Sequence, residues 1–172
     1  MRRRCVAALA ALALGLAACG EPPVPLDVPA RGFDQSVLDL AGVIDDDDAA
    51  LVAALGELRR LGWDPVLVAF EADEANMGLA DRAGRKVLEA WGADLALVAV
   101  AEPGHFTRQD TDRARFFGLF ARDVREVPRA IRERVVEELV PPVAARNDWT
   151  AVFTIAVEEL AARMGEVDED VR

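Results

Sequence analysis

Residues 66–100 read VLVAFEADEANMGLADRAGRKVLEAWGADLALVAV. Val66–Phe70 and Leu95–Val100 are unbroken apolar runs, the pattern of strands covered on both faces. Between them Asn76 stands where a helix N-cap belongs. Ala80, Ala83, Val87, Leu88 and Trp91 recur at helical spacing, and Gly92 closes the run. Strand, helix and strand in succession predict an α/β sheet with helices packed on its faces.

The flanks extend the same alternation. Ser36–Leu40 is a short strand candidate, and Leu51, Leu55, Leu58 and Leu61 mark a helix that ends at Gly62. The four aspartates Asp45–Asp48 precede that helix. They lack the spaced ligands and closing glutamate of an EF-hand, so they read as a cap and as charges that favour the positive helix start. On the other side, Glu102–Asp112 is a polar loop and Arg115–Arg122 an aromatic strand carrying Phe116, Phe117, Leu119 and Phe120. No helix separates this strand from its predecessor, so an antiparallel pair and a mixed sheet are expected. Pro128 fits the first turn of a third helix bearing Ile131, Val135 and Leu139, which Pro141-Pro142 should stop. Asn147 or Asp148 caps a fourth, with Trp149, Val152, Phe153, Ala156, Val157, Leu160 and Met164 on one face. The predicted order is β-α-β-α-β-β-α-α, a mixed four-stranded sheet with helices packed on its faces.

The N-terminus is of another kind. Arg2–Arg4 is a basic start, and Val6–Ala18 is apolar but shorter than the roughly 20 residues that span a bilayer. Leu16-Ala17-Ala18-Cys19 resembles the bacterial lipobox, in which the cysteine is acylated and the chain is cut before it. Two or more acyl chains anchor a protein firmly, whereas one does so marginally. Gly20 is not the aspartate that retains many Gram-negative lipoproteins at the inner membrane. The expected organisation is a signal peptide at 1–18, a Pro-rich extended tether at 19–33, a domain at 34–164 and an acidic tail at 165–172.

Removing residues 1–18, with three arginines and no acid, leaves 154 residues and takes the net charge from −11 to −14. Such a surface disfavours nucleic acid and anionic lipid heads, and leaves cations and basic proteins as partners. Cys19 becomes the single cysteine, so no disulfide forms within the processed chain.

Reactive groups are few. Ser36 is the only serine and lies outside any G-x-S-x-G elbow; His105 is the only histidine and sits in the polar loop. The phosphate-loop and dinucleotide-binding glycine patterns are missing from the sequence. Carboxylates remain. Ligands of open α/β sheets bind beyond the carboxyl ends of the strands. Asp39 ends the first strand, Glu71 and Asp73 follow the second, and Glu102 follows the third. Asp39, Glu71 and Asp73 are therefore the candidate ligands for Ca²⁺ or Mg²⁺, against the plainer alternative of a hydrated acidic rim with no bound ion.

An ordered set of motifs resembles the TPM domain, a family that includes a thylakoid-lumen acid-phosphatase-like protein, a photosystem II repair factor and many bacterial envelope proteins. The motifs are Val37-Leu38-Asp39-Leu40-Ala41-Gly42-Val43-Ile44, then Ala80 with Trp91-Gly92, then Val140-Pro141-Pro142-Val143 followed by Asn147-Asp148-Trp149. Asp94-Leu95-Ala96 lacks the glycine often found before the family's third strand. The resemblance implies the α/β/α sandwich, calcium binding, and the phosphatase activity reported for some members. The expected function is an envelope lipoprotein whose domain binds a protein partner and supports membrane or envelope complexes. The alternatives are a metal-assisted acid phosphatase, with Arg113 and Arg115 steadying phosphoryl oxygens, and a structural spacer. The expected place is the periplasmic face of the outer membrane in a Gram-negative host, or the outer face of the cell membrane otherwise.

Overall fold

The structure, a computed structural model, describes residues 23–108 and 114–170, the side chains of 166–170 aside. The two apolar runs form β2 (Pro65–Glu71) and β3 (Leu95–Ala101), parallel neighbours with Pro65 opposite Leu95 and Glu71 opposite Ala101. Between them α2 (Met77–Trp91) starts at Asn76, whose Oδ1 accepts from Leu79 N, and ends at Gly92 in the left-handed conformation. Short β1 (Val37–Asp39) pairs parallel with β2, and α1 (Ala49–Arg60) lies between the two in sequence. Of the four aspartates, Asp48 is the cap: its carboxylate accepts from Ala50 N and Leu51 N. The aromatic strand β4 (Arg115–Ala121) runs antiparallel to β3. The sheet is mixed, four-stranded and ordered β1-β2-β3-β4.

Alternation along the strands divides the core. Leu67, Ala69, Leu95, Leu97, Phe117 and Leu119 face one helical layer, while Val66, Val68, Phe70, Ala96, Val98 and Val100 face the other. The first layer holds α1 and the C-terminal helices; the second holds α2. The expected α/β/α sandwich is the observed fold.

The C-terminal helices depart from expectation. Helical backbone continues through Pro141-Pro142 in three pieces: α3 (Arg129–Glu133), a π-helical segment (Arg134–Leu139) and α4 (Val140–Ala144). The prolines occupy the first turn of α4, where a missing N–H costs no helical bond. The wide π turn before them restarts the helix rather than ending it. Helix α5 (Trp149–Asp170) passes through Gly165, so most of the expected acidic tail is helical backbone.

The Pro-rich segment also differs from a free tether. Val24, Leu26 and Val28 pack on the α2 layer, with Leu26 only 2% exposed. Lys86 Nζ donates to Leu26 O, and Trp91 Nε1 to Pro29 O. Arg31 makes a two-pronged bond to Asp64 at 2.5 and 2.7 Å and lies over the Trp91 ring. From Pro23 onward the segment is therefore a strap bound to the domain. Burial of an apolar side chain outweighed the extended, solvated state that prolines favour; a leucine buried this deeply contributes about 2 kcal/mol.

Glu159 ties α5 to the π-helical segment within one layer. It accepts from Arg134 Nε at 2.7 Å and Arg163 Nε at 3.0 Å. Burial pushes its carboxyl up, but the two guanidinium hydrogen bonds outweigh burial and hold it below the usual carboxylate range. A depressed carboxyl stabilises the fold above its unfolded pKa, and that contribution disappears as pH falls through the folded value. Glu159→Gln should therefore melt below the parent at neutral pH, and the two melting temperatures should converge in acid. A gap that stays constant down to roughly pH 3 would rule the linkage out.

Candidate functional site

Asp39 ends β1, and its carboxylate is engaged at once. Oδ1 accepts from Ala41 N at 3.1 Å and Gly42 N at 2.8 Å, and Oδ2 from Ile44 N at 2.8 Å. The turn after β1 is wound around this carboxylate, and Gly42 takes the positive φ the winding requires. Glu71 ends β2, and its Oε1 accepts from Gly104 N at 2.8 Å, fixing the loop that follows β3. Asp73 is exposed in the turn before α2. Among the described residues no group of three or more His, Cys, Asp or Glu is gathered so as to hold a metal ion. The three expected ligands thus lie at the predicted strand ends, with Asp39 and Glu71 directed to backbone amides. Cys19 and Arg113 lie outside the described residues.

The other reactive groups have local partners. Ser36 Oγ donates to Pro65 O and accepts from Arg59. Arg115 bonds Asn147 and the Ala144 carbonyl. His105 Nδ1 is buried without a hydrogen-bond partner, so the loop histidine is less solvated than its setting predicts. Its loop is pinned to the start of α5: Trp149 Nε1 donates to Phe106 O, the two rings meet edge to face at 4.8 Å, and Asn147 Nδ2 donates to Thr107 O.

Concavity lies elsewhere. A hollow of 910 Å³ borders the C-terminal half of β4, with Arg85, Leu88 and Glu89 of α2 on one side and Arg132 on the other. A second, of 400 Å³, borders the N-terminal half of β4 and is lined by Met77, Phe116, Phe117, Val136, Val140 and Pro141. A third, of 550 Å³, lies between the Asp45–Asp48 turn and α5 and is acidic, with Asp45, Asp48, Asp148 and Glu158 around Arg146.

No protein-family model matches the chain, and no curated protein does. Among solved structures it is similar to the N-terminal domain of the cg2496 protein from Corynebacterium glutamicum, determined by solution NMR. The identity is 14% and the TM-score 0.52, over 83% of this chain and 88% of that one. The likeness is one of fold.

The residues around β4 escaped sequence reasoning. A seven-residue aromatic run reads as buried whether or not a further strand lies beside it. The available signal was Gly118 between Phe116 and Phe120, since an isolated glycine in a strand marks a close approach. Here the approaching group is the Phe120 ring, which lies across Gly118 and against Gly84 of α2.

Proposed function

We propose that the protein is a TPM-like domain of the cell envelope, anchored through lipid on Cys19, which supports membrane or envelope complexes by binding a protein partner. The observation that carries this reading is that the expected cation ligands lie apart from the hollow along β4. Asp39 and Glu71 hold backbone amides at the strand ends, while the 910 Å³ hollow opens along β4, on the opposite edge of the sheet from β1. A metal-assisted phosphatase needs its cation ligands beside the hollow that admits the substrate. A binding domain needs only a groove and a means of staying at the membrane.

The test has two arms. In a bacterial host the parent should fractionate with membranes, and Cys19→Ser should accumulate as an unprocessed precursor. Equal processing and equal membrane partition would remove the anchor. The purified chain, offered p-nitrophenyl phosphate at acid and neutral pH with millimolar Ca²⁺ or Mg²⁺, should release no more phosphate than its Asp39→Asn variant. Turnover that collapses in that variant would replace the binding reading with the phosphatase.

A further inference from the structure

Among the described residues β4 is the last strand of the sheet, and its outer edge has no strand beside it. The register fixes which groups that edge presents. Glu102 N donates to Ala114 O and Arg122 N to Asp94 O, and antiparallel pairs alternate between bonded and non-bonded. Phe116, Gly118 and Phe120 therefore direct their backbone groups to β3, while the N–H and C=O of Phe117, Leu119 and Ala121 point outward. No described residue bonds to these outward groups.

Walls rise on both sides of this edge. Helix α2 stands on one face, contributing Met77 at one end and Arg85, Leu88 and Glu89 toward the other. On the opposite face stand Arg132 of α3, Val136 of the π-helical segment, and Val140 and Pro141 of α4. The two hollows are the ends of one trough whose floor is an open strand edge. A trough of this shape admits a single extended segment, and its walls hinder the approach of another sheet.

We propose that this trough takes an extended segment of a partner protein as a fifth strand, with apolar side chains toward the Met77–Val140 end and a carboxylate toward the Arg122–Arg132 end. Main-chain bonds to Phe117, Leu119 and Ala121 would supply affinity, and the hollows would supply specificity through alternate side chains. The charge assignment follows from how the trough's ions are paired. Asp81 is bound to Arg85, and Asp123 to Arg125. Glu89 lines the same hollow as two guanidinium groups: Arg122, whose bond to Leu88 O is long at 3.4 Å, and Arg132, whose Nε is buried without a partner. In a chain with 31 acidic and 20 basic residues, this is a place where the unpaired charge is positive. The proposal rests on the binding reading above and names how the partner is held.

A phage-displayed library of random nine-residue peptides, panned against the full chain carrying Cys19→Ser, tests it. The expected enrichment is for alternating apolar residues with an Asp or Glu near one end. The best-enriched peptide should protect the amides of Phe117, Leu119 and Ala121 from hydrogen exchange. Its affinity should fall tenfold or more in Arg132→Glu. It should fall similarly in Ala121→Pro, which removes one outward donor and leaves the β3 ladder intact. Both variants should melt within a few degrees of the parent, so that loss of binding is not loss of fold. Failure to enrich any peptide, or equal binding by both variants, overturns the proposal. So does concentration-dependent dimerisation that Ala121→Pro abolishes, because the occupant would then be a second copy. Phosphate release by the same preparation would refute the binding reading independently of the panning result.

Discussion

Gly84→Val should destabilise the domain by on the order of 3 kcal/mol, lowering its melting temperature by roughly 10 °C. Gly84 is buried in the middle of α2, where helix propensity alone would favour almost any other residue by up to about 1 kcal/mol. Packing decides the sign. A Cβ at this position would stand 2.6 Å from Phe120 Cδ2, 2.9 Å from its Cγ and 3.2 Å from its Cβ. These include the root of the side chain, which cannot swing away without moving β4. Gly118 closes the slot from the strand side, because a Cβ there would meet the far end of the same ring. Gly56 is the control: it lies on exposed α1 with nothing within 4 Å of an added Cβ, so Gly56→Val should be nearly neutral. Phe120→Ala should be less harmful on the Gly84→Val background than alone, a coupling expected of side chains in contact. Equal melting temperatures for the two valine variants would show that α2 does not depend on this slot.

Asp39→Ala should cost on the order of 2–3 kcal/mol. Three backbone N–H groups converge on one carboxylate, bonds to a charged acceptor are stronger than neutral ones, and the Ala41 and Ile44 amides are partly shielded from water. Asp39→Asn retains one carbonyl oxygen and should lose about half as much. The measurement is urea unfolding with and without millimolar Ca²⁺ or Mg²⁺. If the carboxylate serves the turn, the loss is the same in both conditions. If it ligates a cation, the parent gains stability from the metal by mass action and the asparagine variant does not. An Asp39→Ala protein as stable as its parent would remove the carboxylate's part in the turn.

Where a local rule governs, the sequence is readable at single residues. Asp48 and Asn76 cap helices because their oxygens reach amides two or three residues ahead, and Gly92 ends α2 because it accepts a left-handed backbone. The antiparallel placement of β4 followed from a connection with no helix in it. Three features were hidden for distinct reasons. Pro141-Pro142 read as a stop because a proline breaks a continuing helix, and nothing local announces that a π turn has restarted it. The strap read as a tether because its prolines outvoted Val24, Leu26 and Val28, whose spacing of two was the signal for packing. The trough is a property of strand order: Arg122 and Arg132 are unremarkable in the chain and become neighbours of one hollow only when β4 is the edge.

The strap also sets how the domain would respond to tension. If Cys19 carries the proposed anchor, seven peptide links would separate the lipid from buried Leu26, a span of at most about 25 Å. A pull from the membrane would load the strap's bonds in sequence, first Lys86 on Leu26, then Trp91 on Pro29, then Arg31 on Asp64. Peeling it to Ser36 frees ten more residues, or about 35 Å of slack, without opening the sheet. The strap would then act as a mechanical fuse, yielding length under load while β1 to β4 stay paired.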